Sequence, residues 1–249
     1  MKTKAIGILD SGLGGYSFYR ALRQTYPSAR FVFIADQANA PFGDKKMEEL
    51  VDISKQLLLK FREMGIMTVL FGCNTLSSTV LSDFQEKYPD MNLISVVDLT
   101  VLQVNAEAKK ILVIATSATI NQQAYLKALS KQAKNAWILE IATPKLVPLI
   151  EGLADDEDID EALVQYIGKR SQVDTIVLGC THYPLISENI KKISRANQID
   201  AIEGAVRYFK KIDLPQGESE LFTTLDGVRF SHQIKTLFND DVLVKEIQL

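Results

Sequence analysis

Two cysteines, two histidines and one tryptophan are all that 249 residues contain. So few cysteines exclude a disulfide framework, and the sequence predicts free thiols in a reducing compartment. An excess of charge of one sign is also missing: 28 Lys and Arg face 31 Asp and Glu, for a net −3. That balance lacks the field needed to collect phosphates, which argues against a nucleic-acid or anionic-membrane partner and leaves a small molecule. Long apolar runs are absent too. The first one is interrupted at Asp10, too early for a signal-peptide core, and none approaches the roughly 20 residues that cross a bilayer. The expected location is cytoplasmic.

What is present is an ordinary globular balance, 47% apolar and 24% charged, in a chain long enough for two domains of about 100–200 residues or less. The order of its segments repeats. "KAIGILD" is a buried-strand run that ends in the polar loop "SGLGG", followed by helical "YSFYRALRQTY" and a second strand, "ARFVFIAD". "KKILVIAT" ends in the loop "SATIN", followed by helical "QQAYLKALSKQA" and "AWILEIAT". Each half then has a helical segment and a strand that ends in cysteine, "MTVLFGCNT" and "DTIVLGCTH". Asp10 to Cys73 is 73 − 10 = 63 positions and Thr116 to Cys180 is 180 − 116 = 64. A duplicated α/β unit accounts for that register.

Continuous apolar strands alternating with amphipathic helices indicate parallel sheets covered on both faces. The expected fold is α/β, with two pseudo-symmetric doubly wound domains and a site in the cleft between them, where the carboxyl ends of strands meet ligands. The domains are expected at residues 1–97 with 207–249, and at 98–206. The loop-rich segment after Lys211, with a terminal helix and strand beyond it, is read as a tail that returns to the first domain. His232, on that terminal helix, is read as solvated.

A thiol between a strand end and a helix N-terminus sits where free N–H groups and the helix dipole favour the thiolate. Both cysteines have this setting. Other uses stay open: a buried small hydrophobe, a disulfide, which opposed walls disfavour, or zinc bound by Cys73, Cys180 and His182, for which no C-x₂-C or H-x₃-H spacing is present. Two thiols facing one substrate carbon suit a proton transfer in which one removes a hydrogen and the other returns one to the opposite face. Asp10 and His182 are candidate proton partners for Cys73 and Cys180. Asp10 reads equally as an Asx turn or helix cap over "SGLGG".

"IGILDSGLGG", the D-x-x-x-x-P-F-G pattern from Asp36 to Gly43, "GCNT", "VPLIEG" and "LGCTHYPL" occur in order over essentially the whole chain. Together they resemble the glutamate racemases of the cofactor-independent aspartate/glutamate racemase family. The resemblance implies a 1,1-proton transfer that interconverts L- and D-glutamate without cofactor or metal and supplies D-glutamate for peptidoglycan. It implies that Cys73 serves the D-enantiomer with Asp10, and Cys180 the L-enantiomer with His182. Glu151 matches a further acidic site residue, and Asp36 a peripheral one. Asp10, Ser11, Phe42, Gly43, Asn74, Thr75, Thr181 and His182 match substrate-holding positions, with Pro41, Thr116 and Thr119 beside them. Phe42 stands where the family usually has Tyr, Asn39 where a longer residue such as Arg is usual, "TSAT" where the loop usually holds Gly, and Ala201 where Ser is common. Aspartate as the substrate and a catalytically silent ligand-binding or regulatory relative are the competing readings. The sequence leaves the oligomeric state open, with a homodimer as the state to test.

Overall fold

Ile6–Asp10 (β1), Phe31–Ala35 (β2) and Thr68–Phe71 (β3) are buried along their whole length. That is what strands with helices on both sheet faces require. The computed structural model describes residues 3–249; residues 1 and 2, and with them the lower bound of the first expected domain, lie outside the described residues. The remaining strands among the described residues are Asn92–Ser95 (β4), Lys110–Ala115 (β5), Trp137–Ala142 (β6), Thr175–Gly179 (β7), Asn197–Ile199 (β8), Glu220–Thr223 (β9) and Lys245–Glu246 (β10).

They form two sheets, ordered β10-β9-β2-β1-β3-β4 and β6-β5-β7-β8. Every named pairing is parallel. Leaving aside the two tail strands, the second order repeats the first: a central strand flanked by the next two, with the fourth outside. β1 corresponds to β5 and β3 to β7, so the two cysteine loops leave equivalent strands. In each sheet the switch point falls between the central strand and the cysteine strand, where such folds place their ligands.

Four apolar clusters cover the sheet faces, two per sheet. At about 1.5–3 kcal/mol for each fully buried Ile, Leu or Phe, this burial outweighs local propensity in fixing the layers. The helix Val96–Val101 serves both halves: Val96 and Leu99 join a first-sheet cluster, while Val97 and Val101 join a second-sheet cluster with Tyr125. Ala201, Ala205 and Phe209 pack in the first-sheet cluster with Ile6 and Phe31. The helix Ile202–Phe209 therefore lies on the first sheet, directly after β8 of the second.

Two segments differ from the sequence reading. "SATIN" is the helix Ser117–Asn121, started by the Thr116 hydroxyl, which accepts from the Thr119 N–H at 3.3 Å. The loop-rich tail contains β9, which pairs with β2 and extends the first sheet. His232 is exposed on the helix Gly227–Phe238. No helix among the described residues is long and apolar enough to cross a membrane.

Candidate active site

Close packing explains the last two glycines of "DSGLGG". A methyl group on Gly15 would lie 2.2 Å from Cβ of Asp10, and one on Gly14 would lie 2.2 Å from Oγ1 of Thr181. Only glycine lets the first turn of the helix Leu13–Thr25 approach both the end of β1 and the loop after β7. The Asp10 carboxylate is fully buried beneath that turn. Its Oδ1 accepts the Gly12 N–H at 2.9 Å, which is the Asx-turn geometry, and its Oδ2 accepts from Thr181 Oγ1 at 3.3 Å. One carboxylate thus closes the turn that leads into the helix and ties the two halves together.

Cys73 and Cys180 are free thiols, 6% and 5% exposed, and both line one cleft between the sheets. The cleft holds about 530 Å³ of free space, open solvent at its mouth included. Ser11, Pro41, Phe42 and Gly43 line it from the first half with Asn74 and Thr75, and Thr116, Thr181 and His182 line it from the second. The sequence-expected residues from both halves therefore meet at one place. Among the described residues no three His, Cys, Asp or Glu side chains are grouped as a metal ion would need.

Four expected positions fall outside the cleft lining: Asp10, already placed beneath the helix turn, Glu151, Asp36 and Thr119. Asp36 is fully buried, and its carboxylate accepts from Asn39 Nδ2 at 2.9 and 3.1 Å and from Thr224 Oγ1 at 2.7 Å. These bonds hold the loop after β2 against the tail rather than a ligand. Thr119 is also fully buried; it accepts from Thr116 Oγ1 at 3.0 Å and from Ser78 Oγ at 3.4 Å. With the 3.0 Å contact between Thr75 and Thr116, these hydroxyls form a chain across the two halves.

The electrostatics of the two thiols differ. Burial pushes the Cys73 thiol well above its ordinary pKa, and the Asp10 charge raises it further. The N–H groups of Thr75 and Leu76 pull the other way without prevailing. The expected thiolate-favouring effect of the helix N-terminus is therefore outweighed at Cys73, because desolvation of the charged form is the larger effect. Cys180 has a different neighbour: His182 Nδ1 lies 3.6 Å from its Sγ, and His182 Nε2 lies 2.8 Å from Glu151 Oε1. Burial opposes the charged imidazole, yet the hydrogen bonds to Cys180 and Glu151 raise the His182 pKa well above its ordinary value. Thiol, imidazole and carboxylate form a hydrogen-bonded chain that reaches from the cleft to the half-buried Glu151, itself outside the cleft lining.

Asp10 yields a stability test. Burial raises its pKa, against the opposing pull of His182 and the Gly12 and Gly15 N–H groups. A group whose folded pKa is raised contributes stability that is present below its unfolded value, near 3.9, and lost as pH rises through the folded one. At neutral pH the buried charge is a cost. Asp10→Asn keeps the acceptor for Gly12, so thermal melts should show a higher Tm than the parent at pH 7, by about 2–4 °C per kcal/mol relieved. The gain should shrink toward pH 4. An equal or lower Tm at pH 7 would show that the charged carboxylate is a net stabiliser.

Residues 6–209 match the Asp/Glu/hydantoin racemase family. The chain belongs to that family. Among curated relatives, a glutamate racemase of Lactobacillus johnsonii is 30% identical, with 98% of this chain and 97% of that one covered. One from Carboxydothermus hydrogenoformans is 36% identical, with 76% and 71% covered. The crystal structure of a glutamate racemase isoform from Bacillus anthracis superposes with a TM-score of 0.91 at 25% identity, covering 100% of this chain and 99% of that one.

Within this racemase-family cleft, sequence reasoning missed Asp44, Thr143 and the apolar wall of Pro144, Val147 and Pro148. It also missed two buried tyrosines. Tyr125 donates to Asn74 Oδ1 at 2.5 Å, and the Tyr183 and Thr143 hydroxyls lie 2.5 Å apart. Their hydroxyl partners lie 51 and 40 residues away, so neither contact could be read locally. The nearest signal was Tyr183 within "GCTHYPL" itself.

Proposed function

We propose that this racemase acts on glutamate by passing the α-proton between two thiols. The observation that carries the reading is that two free, buried cysteines, leaving equivalent strands of a repeated unit, line one cleft. In the L-to-D direction, the Cys180 sulfur as thiolate takes the α-hydrogen, and the electron pair of the broken C–H bond delocalises into the adjacent carboxylate. Cys73 then gives its thiol proton to the opposite face, forming the new C–H bond and leaving a thiolate. The reverse direction exchanges these roles. Burial keeps Cys73 protonated, which is the state required to deliver that proton.

Asp10 acts as the partner of Cys73, and His182, held by Glu151, as the partner of Cys180. Ser11, Asn74, Thr75 and Thr181, with the backbone of Phe42 and Gly43, offer small donors at strand ends that suit the substrate's carboxylates and ammonium. Asp36 and Thr119 support these loops from behind. The product D-glutamate is destined for peptidoglycan. The division of the chain at residues 97 and 206 belongs to the same proposal, and the packing of Ala205 and Phe209 in the first-sheet cluster supports a return of the chain to the first domain.

Circular dichroism of purified protein with each enantiomer of glutamate and aspartate, without added cofactor, tests the reading. Glutamate should be preferred by at least about tenfold, since one methylene is worth about 10–200-fold and unpaired buried donors add to it. Comparable turnover of aspartate would overturn the glutamate assignment.

A further inference from the structure

We infer that Tyr125 is a positioning residue that fixes the Asn74 amide beside Cys73 and turns its NH₂ group toward the substrate; this rests on the glutamate racemase reading. The ring and the hydroxyl of Tyr125 reach different cysteine loops. A methyl group on Gly179, the residue before Cys180, would lie 3.0 Å from Tyr125 Cε2, so the ring packs directly on that backbone. The hydroxyl crosses to the first half and meets Oδ1 of Asn74, the residue after Cys73. The side chain is fully buried.

Distance sets the amide's direction, since 2.5 Å suits an O–H···O bond and is too short for N–H···O. Burial raises the Tyr125 pKa, so the hydroxyl keeps the one hydrogen it can give. Thr100 Oγ1 spends its own hydrogen on the Val96 carbonyl and is the farther of the two acceptors open to the Tyr125 hydroxyl, at 3.3 Å against 2.5 Å for Asn74 Oδ1. With Oδ1 held by Tyr125, Nδ2 is the end of Asn74 left for the cleft that this residue lines. A donor pair there suits an anionic carboxylate, whereas a flipped amide would present an acceptor and repel it.

The test is a double-mutant cycle of Tyr125→Phe and Asn74→Ala, each checked for folding by circular dichroism and Tm. Tyr125→Phe keeps the ring on Gly179 and removes only the hydroxyl. It should raise KM for glutamate about tenfold with kcat nearly unchanged, the signature of lost uniform binding. In the Asn74→Ala background the same change should cost less than about twofold, because a residue acting through another is not additive with it. A purely structural role would lower Tm and reduce activity equally in both backgrounds. A second readout needs no turnover: in substrate-free protein, iodoacetamide should label Cys73 about threefold faster in Tyr125→Phe, with Cys180 unchanged, because thiol labelling follows access. Parent racemase activity with an additive cycle and unchanged Cys73 labelling would overturn the inference. A parent that does not racemise glutamate, but whose Cys73 labelling rises in Tyr125→Phe, would sink the proposed function and leave the positioning role standing.

Discussion

Replacing Cys73 by alanine is expected to cut glutamate racemisation by about 10²–10⁴-fold, the usual cost of a missing acid or base, while the protein still exchanges the α-hydrogen of L-glutamate with deuterated solvent. Cys180 remains to remove that hydrogen and to return a solvent-derived one to the same face, so exchange proceeds with retention. Cys180→Ala should do the same for D-glutamate through Cys73. The structure adds an asymmetry. Cys73 must release its proton against burial and the Asp10 charge, whereas Cys180 has His182 at 3.6 Å. Exchange of D-glutamate by Cys180→Ala should therefore be the slower of the two. Mass spectrometry on each pure enantiomer reads both rates. A Cys73→Ala protein that racemises near the parent rate would remove the opposed-thiol mechanism and leave the matched cysteine frames as a record of duplication only.

His182→Ala should lower racemisation by a similar factor, about 10²–10⁴-fold, and Glu151→Gln by less, since it leaves the imidazole in place. The two enantiomers have equal free energy in water, so detailed balance makes kcat/KM fall equally in both directions for any variant. The bias must be sought in solvent exchange, where His182→Ala should damage the L-enantiomer more and Asp10→Ala the D-enantiomer more. The pH dependence has a definite sign. The hydrogen bonds to Cys180 and Glu151 raise the His182 pKa despite burial. Its stability contribution is thus complete below the ordinary value, near 6.5, and lost as pH rises through the elevated one. Glu151→Gln removes one of the raising partners. The alkaline limb of its pH–rate profile, and its alkaline loss of Tm, should both move to lower pH than in the parent. A shift to higher pH would mean that Glu151 does not hold the imidazolium.

The repeated plan was readable because its signals are local. An apolar run, a glycine and a cysteine recur at nearly equal spacing from an earlier strand end, and the two sheets share one strand order as a result. The cleft residues next to those strand ends, Ser11, Asn74, Thr75, Thr181 and His182, were legible for the same reason. What escaped depends on partners distant in sequence. Asp36 looked like a site residue until Thr224, 188 positions away, and the unusual Asn39 claimed its oxygens. Tyr125 drew no reading at all, since nothing near it in sequence points to Asn74. The protonated state of Cys73 was misjudged because a helix N-terminus is visible in a sequence and desolvation is not. β9 was hidden in a segment of turns and polar residues, where only pairing with β2 makes four residues a strand.

The most direct test of two opposed thiols uses the unmodified protein in deuterium oxide at early conversion. Starting from L-glutamate, the D-glutamate formed should carry deuterium at the α-carbon, while the L-glutamate left behind should remain protiated; starting from D-glutamate, the pattern should be mirrored. In each direction the receiving thiol delivers a solvent-derived hydron, and because product forms faster than the abstracting thiol exchanges with solvent, that thiol returns only what it took; only where the second thiol is missing does its own slow exchange show. Product that keeps the original protium, or deuterium entering the remaining substrate as fast as product forms, would contradict the two-thiol account.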